Sequence, residues 1–351
     1  RGLRGNRRVQ IVGAAGTGKT LLAAEKAAQL AREGYDTLLV CYNQPLARLL
    51  VELTQDTVRE RGHLTVSTFH GLCEDLGREA GTLPPKPDPV DQTWFDDALP
   101  GALDAAIGIL GARYHALVID EGQDFAPGWL DSLQLLLHEP ADDVLYVFHD
   151  PAQAIYRDDT VERLGLMSYA LDENCRNPGP IHAFAAGHAP DAPATTAMRE
   201  DGREPELIAA EPGTETVEAL RRVLHRLTVD EKVRPWEIAV LTGGSLSDSA
   251  VWRQRTFGNE VLWNGQVDDA GKPLGLAAAH VPEQPGDAIL CDSIRRFKGL
   301  ERPVIVLVEL RPDDRRLEQL LYVGASRATQ HLIVIGPAAV TGRAAVPARR
   351  A

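Results

Sequence analysis

The sequence predicts an α/β protein built as two domains. Three observations carry that expectation. Gly13-Ala14-Ala15-Gly16-Thr17-Gly18-Lys19-Thr20 fits G-x-x-x-x-G-K-[ST], the phosphate-binding loop. Short apolar runs recur between helix-forming stretches, the pattern of buried parallel strands joined by crossover helices. A length of 351 residues suits two domains better than one.

The loop has the flanks its chemistry needs. Val9-Gln10-Ile11-Val12 reads as a strand before it, and Leu21 to Arg32 as a helix after it, stopped by Gly34. Gly13, Gly16 and Gly18 let backbone N–H groups turn toward an anion, and the helix N-terminus adds a positive dipole end. Thr17 belongs to the same cradle, Lys19 would hold the β- and γ-phosphates, and Thr20 would ligate Mg²⁺.

Thr37 to Cys41 reads as a second strand, Pro45 to Arg61 as a helix, and Leu64 to Ser67 as a third strand running into Thr68-Phe69-His70-Gly71. Leu83 to Pro89 is Pro-rich and reads as a loop. Asp91 to Leu110 reads as helix broken near Pro100, and residues from about 73 to 113 as a small insertion on the first domain. His115 to Ile119 is an apolar strand ending in Asp120-Glu121-Gly122-Gln123-Asp124. Acidic side chains at the carboxyl end of a parallel strand stand where α/β folds place their chemistry. Asp120 is the candidate for the Mg²⁺ shell, and Glu121 for orienting or deprotonating an attacking water. Val144 to Phe148 is a further strand, delivering His149 to Tyr156, in which Gln153 stands where a γ-phosphate sensor would lie.

In the second half, Pro178 to Gly187 and Thr214 to Leu227 read as helices, the latter with an apolar stripe at Val217, Leu220, Val223, Leu224 and Leu227. Ile238 to Leu241, Ala288 to Cys291, Val304 to Val308 and Leu332 to Ile335 read as strands, and Asp313 to Ser326 as a helix. The tail after Gly336, rich in Ala, Pro and Arg, reads as loose.

Bulk composition narrows the classes. Hydrophobic and charged contents of 44% and 25% are those of a globular protein, and no apolar run approaches membrane-spanning length. A cytoplasmic protein is the default expectation. Cys41, Cys73, Cys175 and Cys291 are scattered and read as reduced thiols, and the ten histidines form no metal-spaced cluster. A net charge of −13 argues against a bulk electrostatic nucleic-acid binder but leaves room for a locally basic groove. The chain starts at Arg1 and reaches its first strand almost at once, which suggests that an upstream segment of the natural protein precedes it.

Seven ordered segments resemble the UvrD/Rep type of superfamily 1 helicases. Asp120 to Asp124 resembles that family's DExQD box, Thr68-Phe69-His70 its TFH segment, and His149 to Tyr156 its GDxxQxIY segment, with His149 in place of Gly. Leu171 to Arg176 is similar to its L-x-x-N-Y-R box and Ile238 to Leu241 to its I-A-V-L strand. Ser293 to Glu301 resembles its T-x-H-x-x-K-G-L-E box, and Leu321 to Ala328 its LYVAxTRA box. The particular wording is similar to helicase-like ATPases that follow nuclease-related domains, which would make a nuclease the upstream partner.

The resemblance implies two RecA-like P-loop NTPase domains with parallel sheets, at 1–168 and 169–351, and ATP with Mg²⁺ as cofactors. Lys19, Thr20, Asp120, Glu121 and Gln153 would act from the first domain. Arg176 and Arg327 would reach the γ-phosphate from the second, meeting the transferring charge with guanidinium groups. Gly299 and Glu301 carry over as nucleotide contacts. The family's adenine-reading glutamine would lie before Arg1.

Single-stranded DNA is the implied partner, with RNA left open, and no membrane. Asn43, Thr68, Phe69, His70, Tyr156, Arg295 and Arg296 are the candidate contacts. Each of the plainest has another reading: Phe69 as core, His70 as a capping group, and the arginines as a solvated face. Further departures from the family bear on nucleic-acid handling. Asp158-Asp159 stand where a second stacking aromatic is common, Arg295 replaces the His of the T-x-H box, and no long insertion separates Ile238 from Lys298. The expected activity is Mg-dependent ATP hydrolysis coupled to binding, translocation along or unwinding of single-stranded DNA. The alternative is an ATP-dependent switch that regulates an attached nuclease or partner without processive unwinding.

Overall fold

The computed structural model describes residues 6–61, 63–88, 90–153, 161–274 and 282–344. The chain divides into two compact units, Arg1–Gly13 with Gly18–Leu171, and Ala14–Thr17 with Asp172–Ala351.

The first unit runs β1 (Arg8–Gly13), α1 (Lys19–Arg32), β2 (Thr37–Cys41), α2 (Gln44–Arg61), β3 (Leu64–Thr68), α3 (Phe69–Ala80), α4 (Leu99–Leu110), β4 (Ala116–Ile119), α5 (Pro127–Gln134), β5 (Val144–His149) and β6 (Met167–Leu171). Its six strands lie in the order β3-β2-β4-β5-β1-β6, every pair parallel. Every residue of β2, β4 and β5 is buried, because helices cover both sheet faces. On one face α1 packs through Ala23, Ala27 and Ala31, with Leu46 and Leu50 of α2 beside it. On the other, α3, α4 and α5 enclose Phe69, Leu103, Trp129 and Leu133.

Local chemistry sets the ends of these helices. The Thr68 hydroxyl accepts the Gly71 N–H at 3.0 Å and so caps α3. Pro100, expected to break a helix, instead comes just after a π-helical turn, Trp94–Ala98, and the chain stays helical from there into α4.

The second unit runs β7 (Glu173–Pro178), α6 (Gly179–Gly187), β8 (Thr196–Arg199), β9 (Glu206–Ala209), α7 (Thr214–His225), β10 (Ile238–Thr242), α8 (Ala250–Gln254), β11 (Thr256–Phe257), β12 (Glu260–Trp263), β13 (Ala288–Ser293), β14 (Arg302–Val308), α9 (Leu317–Ala325), β15 (Ala328–Gly336) and α10 (Ala338–Ala344). Seven strands form a sheet in the order β11-β12-β13-β10-β14-β15-β9. All its pairs are parallel except the short β11–β12 hairpin. A separate parallel pair joins β7 to β8.

The α/β architecture with a parallel sheet in each unit is the expected one. Some local readings change. Up to Ala344 the segment after Gly336 is ordered as α10, which buries Val340 and Ala344 fully or nearly so; the rest of that segment lies outside the described residues. The helix expected from Asp313 begins at Leu317. Among the described residues, no helix is long and apolar enough to cross a membrane.

Candidate nucleotide site

The phosphate-loop residues follow β1 and lead into α1. Gly16 and Gly18 both have φ of +82°, a left-handed conformation that glycine adopts without steric cost. Lys19 opens α1 and is almost fully buried. Its ammonium donates to the Gly13 carbonyl at 2.9 Å and lies 4.0 Å from Asp150 Oδ2.

β4 ends one residue before Asp120, which is wholly buried. Asp120 Oδ1 accepts the Glu121 N–H at 3.1 Å, while Oδ2 is buried with no hydrogen bond. Burial first, and then the neighbouring Glu121 charge, push the Asp120 carboxyl up to about 7; the Thr20 hydroxyl and the Lys19 ammonium act in the opposite sense. Mg²⁺ is held in nucleotide sites by one or two protein oxygens plus water and phosphate. A buried Asp120 oxygen without a partner, with the Thr20 hydroxyl beside it, fits that role. The described residues contain no cluster of three metal-ligating side chains.

Glu121 has φ of +56°, a strained value for a residue with a side chain and of a kind that clusters at functional sites. Its carboxylate accepts from Gln123 Nε2 at 2.5 Å. Gln123 Oε1 in turn accepts the Asp150 N–H at 3.0 Å. Asp150 Oδ2 accepts from Gln153 Nε2 at 2.6 Å. Lys19, Glu121 and Gln153, expected on chemical grounds, are therefore brought together through Gln123 and Asp150. Sequence reasoning gave those two no role, although both stand inside the segments it singled out.

In the second unit Arg176 and Arg327 both reach Ser326. Arg176 Nη1 donates to its carbonyl at 3.4 Å, and Arg327 Nη2 to its hydroxyl at 3.0 Å. Arg176 Nε also donates to Glu301 Oε2 at 2.5 Å. Arg327 is almost fully buried, with Nε donating to the Val323 carbonyl at 3.0 Å. Gly299 has φ of +86°, which permits the turn ahead of Glu301. Asn177 Nδ2 donates to the carbonyls of Ser326 and Ala328, fixing β7 to the start of β15. Residues 14–17 group with this unit: the Ala15 N–H donates to the Tyr322 hydroxyl at 2.8 Å, and the Asn174 side chain donates to the Ala15 carbonyl at 2.9 Å. Tyr322 and Asn174 were not foreseen as site residues.

The candidate nucleic-acid contacts separate. Asn43 Oδ1 accepts the Leu46 N–H at 2.8 Å in the first turn of α2, and Thr68 caps α3. Phe69 is a core residue, 0% exposed and stacked on Trp129 with centroids 4.5 Å apart. His70 Nε2 lies 3.1 Å from the Phe95 carbonyl. Arg296 is held by Asp292 and Gln266, whereas Arg295, half-buried, has an Nε without a partner. Tyr156 and Asp158-Asp159 lie outside the described residues.

Residues 288–335 match the family model of the UvrD-like helicase C-terminal domain. No curated protein matches the chain. Among solved structures, the chain is similar to the Arterivirus nonstructural protein 10 (helicase) in complex with DNA, at 12% identity over 96% of this chain and 63% of that one, with a TM-score of 0.48. A crystal structure of the same helicase matches at 12% identity over 93% of this chain and 59% of that one, with a TM-score of 0.45. The chain spans less than two thirds of the length of those helicase chains.

A phosphate loop, an acidic strand end and the parallel sheets define the fold of a P-loop NTPase. The matched stretch contains both the Ser293–Glu301 and the Leu321–Ala328 boxes. Within that stretch the chain is similar to UvrD-like helicases.

Proposed function

We propose that the chain hydrolyses ATP with Mg²⁺ and couples hydrolysis to binding a single nucleic-acid strand, DNA foremost, as a compact motor. The observation that carries this reading is the buried set Lys19, Glu121 and Gln153, linked through Gln123 and Asp150 in one unit, with the buried Asp120 accepting the Glu121 N–H.

In this reading Lys19 leaves its resting partners to meet the β- and γ-phosphates. Glu121 holds the attacking water in line and accepts its proton, and Gln153 reports the γ-phosphate to the strand-binding surface. Thr20 and Asp120 would hold Mg²⁺, which would supply neutralisation of phosphate charge. Arg176 and Arg327 supply guanidinium charge to the transferring phosphoryl group, a contribution of roughly 10³–10⁵ in rate in other phosphoryl-transfer enzymes. Arg295 is the guanidinium offered to a strand's phosphates.

The test is the ATPase rate of the protein with no nucleic acid, single-stranded DNA, duplex DNA and RNA in parallel. Stimulation by a single strand supports the motor reading, and Lys19→Ala abolishes turnover in every arm. ATP hydrolysis indifferent to all three nucleic acids argues against it. The burial of Phe69 and the internal pairing of Arg296 leave fewer side chains for a strand, which favours the switch reading as second choice. Movement along a strand, followed by displacement of a bound block, decides between the two.

A further inference from the structure

Directly after β12 the chain makes a tight turn at Asn264-Gly265-Gln266. Asn264 is buried. Its Nδ2 donates to the Cys291 carbonyl at 2.8 Å, and its Oδ1 accepts the Gln266 N–H at 2.9 Å. Gly265 fits between them because it lacks a side chain: a Cβ there would fall 2.7 Å from the Trp263 ring. The turn projects Gln266 so that its Oε1 accepts from Arg296 Nη2 at 2.5 Å.

The other side of Arg296 is met by Asp292, the penultimate residue of β13, whose Oδ1 lies 3.3 Å from Arg296 Nε. The same oxygen accepts the Ser293 N–H at 2.8 Å, and Ser293 Oγ accepts the Arg296 N–H at 3.3 Å. Asp292 is buried, and a buried carboxylate facing a guanidinium that is itself fixed by a second acceptor is a directional pair, not a loose surface one.

We propose that Gln266, seated by Asn264 and working with Asp292, is a positioning residue: it fixes Arg296 as a strut that presents the 293–301 segment, and Arg295 with it, to the nucleic-acid strand. The inference rests on the strand-coupled reading above and adds to it a set of residues outside the segments that carry the family resemblance. It also gives the short connection between Ile238 and Lys298 a task.

The experiment is the ATPase rate as a function of single-stranded oligonucleotide concentration for wild type, Gln266→Leu and Gln266→Glu, with melting temperature measured on each. Leu fills the same space without an acceptor, whereas Glu keeps the acceptor. Gln266→Leu is expected to raise the strand concentration for half-maximal stimulation about tenfold, the loss of one contact's worth of affinity. The rate at saturating strand and the melting temperature are expected to hold, and Gln266→Glu to restore the wild-type concentration. An unshifted concentration in Gln266→Leu, an equal impairment in Gln266→Glu, or a fall in melting temperature that accounts for the loss overturns the inference. A wild-type protein that no strand stimulates overturns the functional reading instead, so the two failures are distinct.

Discussion

The Gln123 side-chain amide donates to the Glu121 carboxylate at 2.5 Å while its own oxygen accepts the Asp150 N–H at 3.0 Å. Gln123 is thereby the link between the acidic strand end after β4 and the segment after β5. It holds Glu121 in one orientation while that residue occupies a left-handed backbone conformation.

Removing that link should cost turnover more than nucleotide binding. Gln123→Ala frees the Glu121 carboxylate to rotate, and misplacing a catalytic group by about 1 Å costs up to about 10²-fold. Steady-state kinetics should show kcat reduced with KM for ATP held. Equal loss in both would assign Gln123 to substrate binding.

Gly122 should accept no side chain. A Cβ there would lie 2.5 Å from Val147 Cγ1 and 3.2 Å from Val161 Cγ2. Overpacking of this kind costs about 1–3 kcal/mol, so Gly122→Ala should lower the denaturation midpoint by a corresponding amount. A variant as stable as wild type would contradict the close packing of Gly122 against Val147 and Val161.

Phe69 should matter to stability and not to strand stacking. Truncating a buried Phe to Ala costs about 3–5 kcal/mol, which chemical denaturation of Phe69→Ala reads directly. Phe69→Leu keeps most of the volume without an aromatic face. It should retain whatever strand stimulation the wild type has. Loss of stimulation in Phe69→Leu at full stability would restore Phe69 to the binding surface.

Asp120 sets a pH dependence. Its folded value, about 7, lies above the ordinary 3.8, chiefly through burial. Between those values the folded state holds a proton that the unfolded state has released, so this group's contribution to stability falls as pH rises from about 4 to about 7 and is flat above. In chelator-treated protein Asp120→Asn should therefore melt higher than wild type at pH 8, with the difference shrinking as pH falls toward 4. A difference constant with pH would mean that Asp120 is not held near neutrality. In the same window, Mg²⁺ should protect wild type against heat better as pH rises, because only the carboxylate binds it.

Much of the fold was legible because its central strands are buried on both faces. Short continuous apolar runs such as Leu38 to Cys41 and Val304 to Val308 read as buried strands. The edge strand β6, Met-Ser-Tyr-Ala-Leu, has mixed exposure and left no such trace. Nor did β7, where Asn174 and Asn177 serve hydrogen bonds to distant carbonyls. The candidate site was legible where a motif singles out one side chain, as at Lys19 and Glu121. Gln123 and Asp150 act by holding other residues, and Gln266 by holding Arg296 across 30 positions, so only coordinates reveal them. Phe69 illustrates the reverse: an aromatic in a recognisable segment, whose burial against Trp129 decides between two readings that the sequence left open.

The central claim is that Glu121 activates water on a nucleotide that Lys19, Thr20 and Asp120 hold. Its most direct test compares Glu121→Gln with wild type, measuring ATP binding at equilibrium and hydrolysis in a single turnover with Mg²⁺. The account predicts binding within a few-fold of wild type and hydrolysis slowed by about 10²–10⁴-fold. Hydrolysis at the wild-type rate in Glu121→Gln would contradict it.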